Sequence, residues 1–423
     1  MDTNGHVILA RRNKPGSIGP MSPRRDVKPG AAGWSTPARR KVALILETSN
    51  AYARTLLQGV FAYTRENKPW SFSLVEQGHS DEAPDWLADW DGDGIIARIK
   101  NRGIATTVLA SGLPTVDLSI GRYLPSLPAV EPDEGLIARL ATEHFVERGF
   151  KHFAYCGDEA VMLSTRRGDA FRRAVAGAGF CCHEFKAEGG PKIAISSKVA
   201  AIGDWLDGLP RPLAVFACHD VCGQHVLDAC CNVGLVVPDE VAVLGVDNDE
   251  LRCEMAVPPL SSIIPNARRA GYEAAKLLDR MMNGEKVPPL ETWIEPLGLN
   301  LRQSTDVLAV DDRHVAMALR FIREHVCEPI TPSDVLRVVP LPRRSLEKRF
   351  RQLLNHTLHD EILSVRLNRI KQLLTGTKLS LEQIAEAMSY EHPEYLSVVF
   401  KREVGLSPRD FRRRHGHTGL GDG

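Results

Sequence analysis

The amino-acid sequence predicts a two-lobed α/β domain with parallel sheets, followed by an all-α domain that contains two helix-turn-helix units. Residues 41–300 alternate short apolar runs with amphipathic helical stretches, which is the pattern of βαβ units in a parallel sheet. About 260 residues are too many for one such sheet, so two lobes are expected. Residues 313–416 show helical periodicity throughout, and residues 301–312 are a predicted linker.

Charge is distributed unevenly along the chain, although the formal net charge is zero. Residues 1–40 carry a net charge of +6, are rich in Pro and Gly and lack a hydrophobic period, so we expect a disordered basic tail. Residues 41–312 carry −12 and residues 313–415 carry +7. A basic block beside an acidic globule is typical of a nucleic-acid-binding module, although a solvated helical face is an alternative that charge alone leaves open.

Composition and motifs exclude several classes of protein. No apolar run approaches the roughly 18 residues of a membrane span, and the polar, basic N-terminus lacks the apolar segment of an export signal. We therefore expect a cytoplasmic protein with reduced cysteines and no membrane partner. The absence of G-x-G-x-x-G, P-loop and G-x-S-x-G motifs argues against an enzyme, and a transport binding protein would need an export signal. Cys218, His219, Cys222 and His225 lack zinc-site spacing, so neither a metal nor a cofactor is expected.

The elements of the first domain follow from individual apolar runs. Predicted strands are KVALIL, DGIIA, PTVDL, HFAYCG, LAVFAC and VAVLGVD. Predicted helices between them are YARTLLQGVFAYTRE, DEGLIARLATEHFVERG, RRGDAFRRAVAGAG and DVCGQHVLDACCNVG. Because ligands bind at the carboxyl ends of parallel strands, polar residues that follow the strands are candidate ligand contacts. They are Glu47, Asn50, Tyr52, Asp158, Arg167, Asp220, Asp247 and Asn248.

These side chains suit a small ligand that is rich in hydroxyl groups. Asp accepts hydrogen bonds from neighbouring hydroxyls, Arg and Asn donate to oxygens, and Tyr offers an apolar face. Asp158 and Asp220 have an alternative role as N-caps of the helices that follow them, and for Asp220 the two roles are compatible. For Asp247, within GVDND, a purely structural role is the weakest alternative to ligand contact.

The runs VALILETSNAYARTLLQGV, RRGDAFRRAV and VAVLGVDNDELR resemble the periplasmic-binding-protein-like sensor of LacI-type regulators. The similarity is strongest to xylose-responsive members, in which the sensor precedes a DNA-binding domain, and it extends over residues 41–416. The resemblance implies that Arg167 and Asp247 contact a sugar and that Asp220 and the segment from Asn50 to Tyr52 line its pocket. It favours xylose, with another sugar or a purine as the alternative. Because Arg166 is adjacent, either Arg166 or Arg167 is a candidate for the arginine that points into the pocket.

The helical domain divides into two helix-turn-helix units, at residues 334–355 and 381–404, joined by a long helix. In the first unit TPSD starts a helix at residues 331–334, and Leu346 and Phe350 form an apolar i, i+4 pair. In the second unit SLEQ at residues 380–383 is a capping box, and Pro393 starts the second helix. The inward-facing residues of this unit are Leu381, Ile384, Ala385, Met388, Leu396, Val399, Phe400 and Glu403.

Outward residues on the second helix of each unit are predicted to face a DNA major groove. They are Arg343, Arg344, Ser345, Glu347, Lys348, Glu391, His392, Glu394, Tyr395, Ser397 and Lys401. Arg and Lys suit guanine or phosphate, and Glu accepts from cytosine N4. The stretch from ITPSD to SPRDFRR resembles the AraC-type DNA-binding domain, most specifically in GLSPRDFR. Three positions depart from that family: Pro342 supplies no side-chain cap, Ser389 replaces a glycine suited to positive φ, and Leu396 replaces a phenylalanine.

Together these patterns predict a sequence-specific DNA-binding transcription regulator that responds to a monosaccharide and has no catalytic activity. Closure of the lobes on the sugar is expected to reposition the DNA-binding domains. The expected partners are double-stranded DNA, a small sugar with xylose favoured, a second copy of the chain and RNA polymerase.

Overall fold

The computed structural model describes residues 39–74, 84–87, 89–119, 121–157, 162–185, 194–307 and 312–415. The predicted tail at residues 1–40 lies outside these ranges except for its last two residues, and Asp158 lies outside them as well. The predicted linker is described only in part, because residues 308–311 fall outside the same ranges.

The strands of the described residues form two six-stranded sheets. They are β1 (Lys41–Ile45), β2 (Ser71–Leu74), β3 (Gly94–Ala97), β4 (Thr115–Asp117), β5 (Ala129–Pro132), β6 (His152–Cys156), β7 (Cys182–Glu184), β8 (Leu213–Ala217), β9 (Val241–Val246), β10 (Ser261–Ile264), β11 (Glu291–Ile294) and β12 (Gly298–Asn300). One sheet has the order β11-β5-β4-β3-β1-β2 and the other β12-β10-β9-β8-β6-β7. The pairing is parallel in both, apart from the antiparallel pair of β10 with β12. The prediction of parallel sheets is confirmed.

Helices cover both sheets and make up the C-terminal domain. They are α1 (Ala51–Glu66), α2 (Arg102–Ser111), α3 (Glu134–Glu147), α4 (Met162–Gly177), α5 (Ile195–Asp207), α6 (Asp220–Val233), α7 (Glu250–Met255), α8 (Ala267–Met282), α9 (Arg313–Glu324), α10 (Pro332–Val338), α11 (Arg343–Leu354), α12 (Leu358–Gly376), α13 (Leu381–Ala387), α14 (Pro393–Val404) and α15 (Pro408–His415). Side-chain oxygens of Asn101, Asp133 and Asn266 cap the N-termini of α2, α3 and α8.

The chain passes between the two sheets three times, so the two lobes are interleaved in sequence. It leaves the first sheet after β5, returns to it after β10 and leaves again between β11 and β12. We call the first sheet with α1, α2 and α8 the N-lobe, and the second sheet with α3 to α7 the C-lobe. The sequence did not predict β2, β5, β7, β10, β11 or β12. Each of these strands has only three or four residues, too few for periodicity to mark.

Helices α1 and α8 of the N-lobe approach each other at two glycines. A Cβ on Gly271 would lie 1.9 Å from the carbonyl oxygen of Leu56, and one on Gly59 would lie 2.0 Å from that of Arg268. No side chain fits at either position, because both neighbours are backbone atoms that cannot rotate away. The glycines therefore set the distance between the two helices.

The C-terminal domain contains two small cores that share α12. Leu346 and Phe350 are buried in the first core, and Ile384 and Phe400 are buried in the second. The predicted cap at Thr331 and the capping box at Ser380 are both present. Predicted inward residue Glu403 is instead exposed, where its carboxylate accepts a hydrogen bond from Arg402, because Val404 takes the inward position at the end of α14.

Arg366 of α12 connects the second helix-turn-helix unit to the loop that follows α9. It is 8% exposed. Its guanidinium donates to the carbonyl oxygens of Glu328 and Met388 and lies 4.8 Å from the centre of the Tyr390 ring. A planar group with several donors can bridge two carbonyls and an aromatic face at once.

Gly271→Ala is expected to destabilise the protein by about 1–3 kcal/mol or more, because the added methyl group overlaps a backbone carbonyl. Gly177→Ala is the matched control. A Cβ at Gly177 meets nothing within 4 Å, so alanine should be neutral or stabilise helix α4 by about 0.5–1 kcal/mol. Urea unfolding followed by circular dichroism measures both. Equal stability of the two variants would contradict the close approach of α1 and α8.

Candidate functional site

Arg167 is held in the C-lobe by a buried two-point ion pair. Its Nε donates to Glu134 Oε2 at 2.6 Å and its Nη2 donates to Glu134 Oε1 at 2.7 Å, while Nη1 donates to the carbonyl oxygen of Cys218. Burial opposes its charge, but the Glu134 carboxylate outweighs that effect and raises the pKa of Arg167. Arg166 is 35% exposed and pairs with Glu131 at 3.1 Å. Arg167 is therefore the arginine that points inward.

Asp247 and Asn248 form a sharp turn where strand β9 ends. Both have positive φ, 109° and 50°, a conformation that costs energy in residues other than glycine and that clusters at functional sites. The Asn248 backbone N–H donates to Ser262 Oγ at 3.0 Å. Asn248 Oδ1 accepts from Arg302 Nη1 at 3.0 Å and from Asn300 Nδ2 at 3.2 Å. The Asn248 amide oxygen is thus used within the protein, which leaves its amide nitrogen as the group for a ligand.

Asp220 supports this turn through two hydrogen bonds. Its Oδ1 accepts from Ser262 Oγ at 2.6 Å and its Oδ2 accepts from the Asp249 N–H at 2.7 Å. Because both of its oxygens are used within the protein, Asp220 supports the turn instead of contacting the ligand directly as predicted. The predicted alternative as an N-cap is also wrong, because His219 caps α6 by accepting the Cys222 N–H on Nδ1 at 3.0 Å.

The half-buried Asp247 and the buried Asp220 both have a carboxyl pKa above the ordinary range. Burial raises the pKa of Asp247 to about 6, although the positive charges of Arg167, His219 and Arg98 oppose the rise. Burial and the charge of Asp247 raise the pKa of Asp220 to about 7. In the part of the chain that the structure describes, no side chain forms an ion pair or hydrogen bond with the Asp247 carboxylate. Such a group is suited to accept hydrogen bonds from a ligand.

The N-lobe wall consists of residues that follow β1 and β3. Asn50 caps α1 by accepting the Tyr52 N–H at 2.8 Å, and Tyr52 is 9% exposed. The Arg98 guanidinium lies 5.5 Å from the centre of the Tyr52 ring and donates to Glu47 Oε2 at 2.8 Å. Lys100 lies 3.4 Å from the other Glu47 oxygen. Burial raises the pKa of the Tyr52 hydroxyl, so it remains a neutral donor.

The structure brings Tyr52 and Asp247 together across the lobes, on the wall of a cavity of about 490 Å³ that Asn248, Pro265 and Leu297 also line. The charge of Asp247 acts on Tyr52, and the charge of Arg98 acts on Asp247. The positive charges of Arg98, Lys100 and Arg167 beside the cleft are paired within the protein, the first two with Glu47 and the third with Glu134. A neutral, hydroxyl-rich ligand matches this arrangement.

Three cleft residues were absent from the sequence prediction. Arg98 and Lys100 follow the predicted strand DGIIA, so the rule for strand ends could have found them. Glu134 stands in the first turn of a predicted helix, where an acidic residue is common at any helix N-terminus. Its pairing with Arg167 depends on how α3 and α4 pack, and no local pattern indicates it.

Helix α11 presents a basic face to solvent. Arg343, Arg344 and Lys348 are exposed, while Ser345 and Glu347 are half-buried. Arg343 Nε donates to Glu347 Oε1 at 2.8 Å. Two of the residues predicted to face DNA are therefore bonded to each other. The helix begins at Arg343 without a side-chain cap, as the sequence predicted from the preceding proline.

Helix α14 presents a more mixed face. Its predicted residues Glu391, His392, Glu394, Tyr395 and Lys401 are exposed, and Ser397 is half-buried. Val398, which the sequence analysis left out, is 63% exposed on the same helix. The turn before α14 places Ser389 at φ 52°, the conformation for which glycine is best suited.

Matches to known protein families fall separately in the sensor and in the DNA-binding domain. Residues 142–305 match the periplasmic binding protein-like domain family, and residues 336–414 match a helix-turn-helix domain family. The chain is 30% identical over 389 residues to the xylose operon regulatory protein of Escherichia coli K12, an alignment that covers 88% of this chain and 97% of that protein. The chain belongs to the xylose operon regulator family.

Other members and solved structures agree with this assignment. The Haemophilus influenzae xylose operon regulatory protein is 28% identical over 386 residues, with 88% of this chain and 98% of that protein covered. A solved xylose-binding transcription activator superposes with a TM-score of 0.76 at 28% identity, covering 90% of this chain and 100% of the other. A regulator in complex with cellobiose superposes with a TM-score of 0.52 at 25% identity, over 63% and 86% of the two chains.

Family membership confirms the predicted fold, with a LacI-like sensor before an AraC-type DNA-binding domain, and the predicted function class. The chain is a sugar-sensing, DNA-binding transcription regulator, and its relatives are regulators rather than enzymes. Among the described helices, none is long and apolar enough to cross a membrane. The described residues contain no cluster of three or more His, Cys, Asp or Glu that could hold a metal ion.

Glu134→Met and Arg167→Met should each destabilise the sensor of this family member by about 3–5 kcal/mol, because each leaves a buried charge without its partner. The double variant, with two apolar side chains of similar volume, should recover most of that loss. Urea unfolding of the three variants forms a double-mutant cycle. A double variant as unstable as the sum of the two single variants would show that the pair does not act as a unit.

Proposed function

We propose that the sensor binds xylose between its two lobes and that lobe closure changes how the DNA-binding domains are presented. One observation carries the proposal: among the described residues no side chain bonds to the Asp247 carboxylate, which lines a cavity with Tyr52 of the other lobe beside arginines that are already paired. The names of the two xylose operon regulatory proteins and of the xylose-binding activator favour xylose. Another sugar or a purine is the alternative ligand.

Each cleft residue would make a different kind of contact with the sugar. Asp247 accepts hydrogen bonds from sugar hydroxyls, and Arg167, already oriented by Glu134, donates to sugar oxygens. Tyr52 packs against the carbon face of the ring. Asn50 and Asn248 each have an amide nitrogen that donates, since their oxygens are used within the protein. Binding energy from both lobes favours the closed state, which is a shift in population rather than a chemical step.

The DNA-binding domain is proposed to place α11 and α14 in successive major grooves on one side of a duplex. The exposed basic residues of α11 favour phosphate and guanine, and the mixed face of α14 favours readout of bases. We further propose that the regulator acts in the cytoplasm as a homodimer that contacts RNA polymerase. Support for these points is the membership of a transcription-regulator family.

Asp247→Ala should weaken D-xylose binding at least about tenfold, because donors on the sugar lose a charged acceptor at a cost of roughly 1–3 kcal/mol. Asp228→Ala, which removes an exposed carboxylate of α6, is the matched control. Calorimetry with D-xylose, other pentoses, hexoses and hypoxanthine measures the effect and ranks the ligands. If D-xylose binds wild type and Asp247→Ala equally, or binds neither, the pocket assignment is wrong.

The affinity for D-xylose should also depend on pH. The Asp247 carboxyl has a pKa of about 6 in the folded protein, and its ionised form makes the stronger hydrogen bonds. Affinity should therefore be constant above pH 7 and fall as the pH is lowered through 6. In Asp247→Asn this fall should disappear. An equal fall in the two proteins would assign the titration to another group.

Val398→Ala should weaken binding of the full-length protein to duplexes with a thymine methyl at its contact position, because an exposed apolar side chain on α14 suits that methyl. Val338→Ala, an exposed valine on α10, is the control. Duplexes selected from a randomised library are compared with copies that carry deoxyuridine, which lacks the methyl. The loss should be absent on the deoxyuridine duplex, and an equal loss on both duplexes would contradict the contact.

A further inference from the structure

Arg323 of α9 forms an ion pair with Asp239 of the C-lobe. The two side chains are only 17% and 13% exposed, so water screens their attraction weakly. The carboxylate of Glu361, on α12, lies close enough to act on the Arg323 charge. Removing either member of such a pair leaves a shielded charge without its partner. The contact joins the DNA-binding domain to the sensor outside the covalent connection.

Asp239 and the sugar cleft lie at opposite ends of one strand. Asp239 precedes β9 by two residues, and Asp247 follows β9 directly. All six residues of β9 are buried, and the strand lies between β8 and β10. The two aspartates are therefore separated by the length of this six-residue strand, roughly 17 Å at about 3.3 Å per residue, and by the short turns at its ends. A buried central strand moves with its lobe as a rigid element, so Asp239 is expected to follow a displacement of the C-lobe at the cleft.

The covalent connection to the DNA-binding domain is packed against the same strand. Ser304 Oγ donates to the Val243 carbonyl oxygen of β9 at 2.6 Å and accepts the Ser261 N–H at 2.8 Å. Ser304 and Thr305 are fully buried, and Arg302 is 8% exposed. The predicted linker at residues 301–312 is thus part of the C-lobe up to Thr305. Besides this covalent connection, the Asp239–Arg323 ion pair joins the described residues of the DNA-binding domain to the C-lobe.

We propose that the Asp239–Arg323 pair positions the DNA-binding domain on the C-lobe, so that sugar-driven movement of the C-lobe changes the placement of α11 and α14. This inference rests on the proposed function. Asp239 and Arg323 are positioning residues, because neither lies in the sugar cleft or on the two DNA-reading helices. Loss of the pair would leave both binding activities in place and weaken the coupling free energy between them.

Charge reversal and its repair test the pair in the full-length protein. Arg323→Asp and Asp239→Arg are compared with the double variant that exchanges the two charges. Arg320→Asp is the matched control, since Arg320 lies on the same helix, is half exposed and pairs with Glu324 within that helix. The DNA probe is a duplex that the wild type selects from a randomised library, and the sugar is D-xylose. Circular dichroism checks folding, and Arg323→Gln replaces Arg323→Asp if the latter does not fold.

Each single reversal is expected to reduce the D-xylose-induced change in DNA affinity at least about threefold, while D-xylose affinity stays within about twofold of wild type. The double variant should recover the response, and Arg320→Asp should retain it. A response that both single reversals leave unchanged, or that the double variant does not recover, overturns the proposal.

Small-angle X-ray scattering without sugar provides a readout that does not depend on the identity of the ligand. Each single reversal places like charges in contact, so it should increase the radius of gyration, and the double variant should return it to the wild-type value. An unchanged radius in both single reversals counts against the pair. A wild type that does not respond to D-xylose would contradict the proposed function, and the scattering would still decide the role of the pair.

Discussion

The sensor depends on pairing the charges that it buries. Arg167 is fixed by Glu134 at two points, and Arg98 is fixed by Glu47. An isolated charge in such a position would cost several kcal/mol, so each pair holds its members in one place and prepares a rigid wall on each lobe. Asp247 at the cleft differs, because among the described residues no side chain forms an ion pair or hydrogen bond with its carboxylate. The Asp247 carboxylate therefore remains able to accept hydrogen bonds, and the hydroxyl groups of a sugar can donate them.

The C-lobe is organised around the end of strand β9. Asp220 and Ser262 hold the backbone of the turn that carries Asp247, and Arg302 holds the side chain of Asn248. The turn keeps two residues at positive φ, a strained conformation that the surrounding hydrogen bonds maintain. Because Arg302 belongs to the segment that leads to the DNA-binding domain, the structure of the cleft and the exit of the chain are parts of one network.

The two helix-turn-helix units have the same architecture and different surfaces. The face of α11 is dominated by arginine and lysine, whereas α14 combines acidic, aromatic and aliphatic side chains. A basic helix gains affinity from phosphates of any sequence, and a mixed helix discriminates between bases. Arg366 connects the second unit to the loop that follows α9 through two backbone carbonyls. The domain is therefore suited to combine a strong, less selective contact with a weaker, more selective one.

Sequence alone determined the order and type of the modules and the helix caps at Thr331 and Ser380, and it selected Arg167 and Asp247 as candidate ligand contacts. These features are local: periodicity shows which face of an element is buried, and caps and turns involve residues three or four positions apart. Tertiary structure decided how the lobes interleave, since β11 pairs with β5 across about 160 residues of chain. It also showed that Asp220 supports a turn instead of contacting the ligand, and that Glu134 and Arg98 lie beside the cleft. A side chain's partner depends on which elements become neighbours, and that is set by packing between distant segments rather than by any pattern within one of them.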